Sequence, residues 1–300
     1  MAKRLIGFTC YLLLALLPAS ALVAQPETQA PGSSPRGDGT TASITADTDR
    51  VYTFGVVPQF EQRKLFRTWR PLLNELQRRT GLKFRLVGTP KIPAFEKQFL
   101  AGDFDFAYMN PYHVIQAHDS QGYVPLVRDG GRTLNGVIVV PKDSPVTSPG
   151  ELKDKELAFP SANALGASML IRADLHNRFK VNVNSRYVQT HSSVYLHVAN
   201  KLVAGGGGVQ STLNSQAPSI KDAVRVIYKT VGIPPHPVAA HPRVPAAHRK
   251  SVQLAFLDIA ATEEGASMLA QIPVVGLVAS SIEDYGIIET LNLKAFYVSD

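Results

Sequence analysis

Gly102-Asp103-Phe104-Asp105-Phe106-Ala107-Tyr108-Met109-Asn110-Pro111 ends one element, builds a second and opens a third. Gly102 stops the short helix expected over Ile92 to Leu100, and Phe104 to Tyr108 reads as a strand. Pro111 suits the first position of a helix running to His118, because that position needs no N–H donor. Upstream, Phe84-Arg85-Leu86-Val87 is a strand. Before it, Leu65, Trp69, Leu72, Leu73 and Leu76 recur at approximately i, i+3, i+4 and i+7, an amphipathic helix over Leu65 to Thr80. Gly81 is its C-terminal stop. Val51-Tyr52-Thr53-Phe54-Gly55-Val56-Val57 is a buried strand halted by Pro58. The β-α-β-α-β-α order predicts an α/β fold with a parallel, doubly wound sheet.

Downstream the pattern restarts. Gly136 to Val140 is a strand, followed by the turn Pro141-Lys142-Asp143-Ser144-Pro145. Leu157-Ala158-Phe159, Tyr187-Val188 and Val224 to Tyr228 read as further strands, with helices expected over Gly166 to Phe179 and Ser192 to Val203. From Pro245 onward the chain is mostly helical, over Val252 to Ile259 and Thr262 to Ala270, with Thr262-Glu263-Glu264 as a helix start. Two α/β units with a helical tail imply two lobes crossed by two strands, near 128–135 and 229–240. The first lobe is then discontinuous, 50–132 plus 236–300, with the tail packed back onto it; the second is 133–235.

The N-terminus carries Lys3 and Arg4, then an apolar stretch from Leu5 to Leu17, too short to span a bilayer comfortably. Pro18 breaks it and Ala19-Ser20-Ala21 resembles a cleavage site, with Ala24 a second candidate. Residues 1–24 therefore read as a secretory signal peptide, against the alternative of an uncleaved anchor. Residues 25–49, rich in Pro, Gly, Ser, Thr, Ala and Asp, read as a flexible linker. Cys10, the single cysteine, lies in the apolar stretch, so the exported chain has neither disulfide nor thiolate chemistry. Loss of Lys3 and Arg4 lowers the formal charge from +7 to +5, an excess that suits an anionic ligand as well as a merely basic surface. No Lys/Arg run with interleaved aromatics points to nucleic acid.

The order of local motifs resembles a known family. Phe54-Gly55-Val56-Val57-Pro58, the helix from Leu65 to Gly81 and Gly102 through Pro111 come first. Asp143-Ser144-Pro145, Glu151-Leu152-Lys153 and Ala158-Phe159-Pro160-Ser161 follow, then Thr190-His191-Ser192-Ser193 and Thr230-Val231-Gly232-Ile233-Pro234. Over roughly 51–295 the chain is similar to the phosphate/phosphite/phosphonate-binding proteins of ABC transporters. The resemblance implies a two-lobed, type II-like periplasmic-binding-protein fold with a hinge of two crossing segments and a small oxyanion ligand in the interlobe cleft. It also implies a monomer in the periplasm that serves an inner-membrane permease and its ATPase, without catalysis, cofactor or metal. A ligand-sensing subunit feeding a two-component kinase is the alternative from another class. A metal-binding transport receptor and a phosphate-ester hydrolase are more distant ones.

Three strand-to-helix junctions carry the candidate ligand-binding residues. A dianion needs several donors, few acceptors and exclusion of water, and helix N-termini supply free N–H groups at a positive dipole end. The first junction offers Tyr108, Asn110 and Tyr112. The second, Pro160 to Gly166, offers Ser161 and Asn163. The resemblance implies a run of small hydroxyl residues there, which Ala164 and Leu165 interrupt. The third offers Thr190, His191 and Ser192. At each, simple helix capping is the competing explanation. Gly205-Gly206-Gly207-Gly208 reads either as backbone that lets amides approach an anion or as a tight turn between packed elements. No acid lies between Lys201 and Asp222, so an amine-bearing ligand is disfavoured. His113 and His118, like His236 and His241, are five apart, a poor spacing for metal ligation from one helix face.

Overall fold

The strands are β1 (Val51–Val56), β2 (Lys83–Gly88), β3 (Phe106–Tyr108), β4 (Val124–Asp129), β5 (Gly136–Pro141), β6 (Glu156–Phe159), β7 (Asn184–Tyr187), β8 (Gly205–Val209), β9 (Val224–Lys229), β10 (Pro237–Ala240) and β11 (Leu277–Ala279). They come from a computed structural model that describes residues 50–272 and 274–298. The signal peptide read over 1–24, the linker over 25–49 and Cys10 lie outside the described residues.

The strands form two sheets, ordered β11-β4-β10-β3-β1-β2 and β7-β6-β8-β5-β9. Neither is wholly parallel, which corrects the expectation from element order. β2-β1-β3 and β7-β6-β8 are the parallel cores. The strand beside each core, β10 in one sheet and β5 in the other, runs antiparallel. The reason is topological. β5 is the first strand after the chain passes from the first sheet to the second, and β10 the first after it returns. Each enters from the end opposite to that used by its neighbours. This is the two-lobed periplasmic-binding-protein fold.

The two passages run through 130–135 and 230–236 and are bonded to each other. Leu134 and Ile233 exchange both backbone hydrogen bonds, at 2.8 and 3.0 Å. The Asn135 side chain donates to Thr230 O at 3.0 Å, and the Gly136 N–H to Thr230 Oγ1 at 2.9 Å.

Local rules account for the helix ends. The Glu61 carboxylate accepts from the Arg63 and Lys64 amides and starts the helix Gln62–Thr80. Gly81 ends it with φ of 70°, a left-handed conformation that glycine adopts without a Cβ penalty. The apolar face, Leu65, Trp69, Leu72, Leu73 and Leu76, is buried in one core with Phe54 and Phe106. Val252, Ala255, Phe256 and Ile259 of the tail helix Ala246–Ala260 join the same core. Burying each such side chain contributes on the order of 1.5–3 kcal/mol.

The glycine run is the largest departure from the sequence reading. It is neither a turn nor an anion cradle but β8, a strand inside its sheet with every residue buried. A Cβ on Gly207 would lie 2.0 Å from Ala167 O, and one on Gly206 would lie 2.6 Å from Val194 Cγ1. The turn Leu165–Met169, wound as a π-helix, and the helix His191–Ala199 therefore press onto β8 with only backbone between them. The helix expected from Gly166 thus begins with this π-turn and becomes α-helical only over Leu170–Asn177. β7 also comes earlier than the Tyr187-Val188 strand read from sequence.

Candidate functional site

Three helix starts from the two sheets meet at one small hollow. Asn110, Ala164 with Leu165 and Gly166, and His191 all line it, and Val57, Gln59, Ile92, Val209 and His236 complete the wall. Its volume is about 10 Å³, room for roughly one water molecule. The helices behind these starts are Pro111–Gln121, the π-turn running into Leu170–Asn177, and His191–Ala199. Positive dipole ends from both sides of the molecule thus converge there.

Asn110 is nearly fully buried and caps its own helix, its Oδ1 accepting from the His113 amide at 2.8 Å. Its Nδ2 reaches across the cleft to donate to Asn163 O at 3.4 Å. Behind it, His113 Nε2 lies 3.0 Å from Glu96 Oε1 and 3.0 Å from Asn110 Nδ2. Asn163 Nδ2 donates to Glu96 Oε2 at 3.1 Å. Glu96 is therefore a buried acid already partnered twice. His113 Nδ1 has no hydrogen-bond partner among the described residues.

His191 opens its helix next to the cap residue Thr190. Its backbone N–H donates to Gln59 O at 3.3 Å, a contact across the cleft. Its Nδ1 lies 3.3 Å from Thr212 Oγ1. His236 lies within the second passage, stacked on the Tyr108 ring at 5.3 Å, with its Nε2 3.1 Å from Gln59 Nε2. Burial lowers the His191 pKa to about 4. Burial also lowers His236 to about 3, and His191, His113 and Arg132 act in the same direction. Both imidazoles are neutral near pH 7. Among the described residues the hollow is thus lined by neutral polar side chains and apolar walls, with no Lys, Arg, Asp or Glu.

The structure distributes the sequence candidates unevenly. Asn110 and His191 line the inner hollow, and Tyr108 lines two neighbouring hollows, of about 10 and 20 Å³, that share Gln59 with it. Ser161 lines a separate, larger cavity next door. The Asn163 side chain is committed to Glu96 and to the tail, accepting from Val298 N at 2.9 Å and donating to Val298 O at 2.8 Å. Thr190 caps the Ser193 amide at 3.1 Å. Tyr112 lies against Tyr297, ring centroids 5.4 Å apart, and Ser192 lines none of these hollows. Sequence reasoning missed Gln59 and His236. Gln59 follows Pro58 at the carboxyl end of β1, the edge of an α/β sheet where ligands collect, and that rule could have found it. His236 had been weighed only for metal spacing. Among the described residues no group of three or more His, Cys, Asp or Glu is placed to hold a metal ion.

The family model for the periplasmic substrate-binding protein of phosphonate ABC transporters matches residues 54–285. The chain belongs to this family. As a phosphonate-family binding protein it is a transport receptor and not an enzyme. Such receptors work with a small-molecule ligand, a membrane permease and an ATPase, and the family is periplasmic. The phosphonates-binding periplasmic protein of Escherichia coli (strain K12) is 23% identical over 238 residues, 75% of this chain and 70% of that protein. Two solved structures share the fold. A binding-protein component of an ABC phosphonate transporter from Pseudomonas aeruginosa superposes with a TM-score of 0.71 at 18% identity, over 80% of this chain and 85% of its own. PhnD1 of Prochlorococcus marinus, solved with methylphosphonate, gives 0.73 at 15% identity, over 82% of this chain and 98% of its own.

Proposed function

We propose that this binding protein captures a small phosphorus oxyanion, phosphate, phosphite or a phosphonate, between lobes 50–132 plus 236–300 and 133–235. It delivers the anion to its permease as a monomer exported by the 1–24 signal peptide. The observation that carries this reading is the convergence of three helix starts on one hollow whose described residues include no carboxylate. Asn110, His191 and the amides after Ala164 are the donors, and Tyr108, Gln59 and His236 shape the space around them. The remaining sequence candidates, Tyr112, Ser161, Asn163, Thr190 and Ser192, support the junctions that present those donors.

In the closed arrangement the Gln59 carbonyl occupies the His191 amide, which the anion would take. Entry therefore requires the lobes to part about the paired passages at Leu134 and Ile233, a hinge motion. Leu165, which stands where the family resemblance implies a hydroxyl, is buried in a core that includes Val57 and Ile92 of the facing lobe. Its burial favours closure without ligand by on the order of 1.5–3 kcal/mol.

A thermal-shift panel of phosphate, phosphite, methylphosphonate, 2-aminoethylphosphonate and sulfate tests the reading. A specific oxyanion at 100 times its dissociation constant is expected to stabilise the fold by about 2.7 kcal/mol. His191→Ala is expected to weaken that ligand by about 1.5–3 kcal/mol, the loss of a hydrogen bond to a charged group. Tighter binding of 2-aminoethylphosphonate than of methylphosphonate, or equal binding by wild type and His191→Ala, would overturn the assignment of this hollow.

A further inference from the structure

We infer that the ligand carries an apolar organic substituent and that a cavity beside the oxyanion hollow receives it. This rests on the oxyanion reading above and adds a second subsite to it. The cavity measures about 260 Å³, against about 10 Å³ for the inner hollow. Ile92 forms a wall of both, so the two spaces adjoin. The other partition is a single turn, in which the Ala164 amide donates to Ser161 O at 3.3 Å. Ser161 and Ala162 of that turn face the larger cavity, and Ala164 faces the inner hollow. An oxyanion seated on the helix starts would therefore have its substituent at the entrance to the larger cavity.

The walls define what that substituent is. Ile92, Pro93, Pro160, Ala162, Tyr187 and Val298 surround it with hydrocarbon and one aromatic ring. Tyr187 and Val298 are 47% and 48% exposed, apolar surface that a bound substituent would cover. Among the described residues no carboxylate lines the cavity, and the one charged residue among those lining it is Lys91. Among these residues an ammonium would meet a like charge and no partner, whereas an alkyl or aryl group would leave water for hydrocarbon. Ile92 and Pro93 open the helix Ile92–Leu100 in the first lobe, and Pro160 and Tyr187 follow and end strands of the second. The substituent would thus touch both lobes and add its own burial to closure.

Calorimetric titration of the purified protein with phosphite, methylphosphonate, butylphosphonate and 3-aminopropylphosphonate tests this. Each methylene from methyl to butyl is expected to tighten binding about threefold to fourfold, the effect of burying one CH₂, while the amine gives no gain. Ala162→Phe, which fills the cavity and leaves the inner hollow intact, is expected to weaken butylphosphonate at least tenfold and to leave methylphosphonate unchanged. Tyr187→Ala, at an exposed position, is expected to reduce the gain from chain length without altering the melting temperature. If methylphosphonate binds but butylphosphonate is no tighter, or if Ala162→Phe weakens both equally, the substituent subsite is wrong while the oxyanion reading stands. If neither phosphate nor any of the four binds, the oxyanion reading falls and takes the subsite with it; binding of phosphate alone would overturn the subsite only.

Discussion

Gly207→Ala is expected to cost about 3 kcal/mol of stability, at the upper end of what an added methyl does in a packed core. The new carbon would sit 2.0 Å from Ala167 O and 2.6 Å from the Phe159 ring. Neither neighbour can yield easily. Ala167 lies in the π-turn that aims the second helix start at the hollow, and Phe159 is fully buried in β6. The turn would have to lift off β8, so ligand affinity should fall along with stability. Gly150→Ala is the control, because its methyl would meet nothing nearer than Ser148 Oγ at 3.9 Å. Urea unfolding reads both variants. Equal midpoints for Gly207→Ala and wild type would show that β8 does not hold the turn at backbone contact.

Acid should destabilise the protein in a defined window. His191 and His236 have pKa values lowered by burial to about 4 and about 3, whereas an unfolded histidine titrates near 6.5. Above that unfolded value both states are neutral, and the histidines leave stability independent of pH. Below it the unfolded chain takes up protons that the folded chain refuses. Stability then falls by about 1.4 kcal/mol per pH unit for each histidine until the folded values are reached. For the pair this amounts to about 4 kcal/mol by pH 5. His241, also lowered by burial though more exposed, adds a smaller slope of the same sign. The carboxyls of Asp105 and Asp284 are held below the usual range, Asp284 chiefly by Arg128 and Asp105 by Arg243 and Thr53 against the opposing effect of burial, so their stabilisation disappears only at lower pH. Urea midpoints measured from pH 7.5 to 4.5 should therefore slope in wild type, slope less in His191→Gln or His236→Gln, and be nearly flat in the double variant. A wild-type midpoint that does not change between pH 6.5 and 5 would mean that these imidazoles are not buried and neutral.

The fold was legible where a repeating side-chain pattern carried it. The helix Gln62–Thr80 announces itself by its leucine spacing and by Gly81, and β1, β2 and β3 by apolar runs between stops. β8 was illegible because glycine has no preference for strands, and its place is dictated by what presses on it from both faces. β10 and β11 are only four and three residues long, too short for a period to show. The site was half legible for a related reason. Asn, Ser and Thr before a helix mark the start, but capping consumes the side chain that would otherwise reach a ligand, as at Thr190. The sequence signature locates the helix start and leaves the donor to the backbone. Gln59 is marked only by its place after β1, and His236 has no local pattern; they meet because β1 and the return passage end at the same cleft.

The interleaving of the sheets governs the order in which the chain can acquire its shape. Every strand of the second sheet lies between residues 136 and 229, so that sheet can assemble as soon as this stretch has emerged, whether from the ribosome or from an export channel. The first sheet cannot. Its interior strand β10 arrives almost 130 residues after β3, which it must pair with, and β11 later still. Until then β3 presents a bare edge and the core beneath it lacks the tail helix. The amino-terminal half of the molecule therefore waits for the carboxyl-terminal end, and removal of the chain after 236 would strip strands from the earliest-made sheet while leaving every strand of the later one.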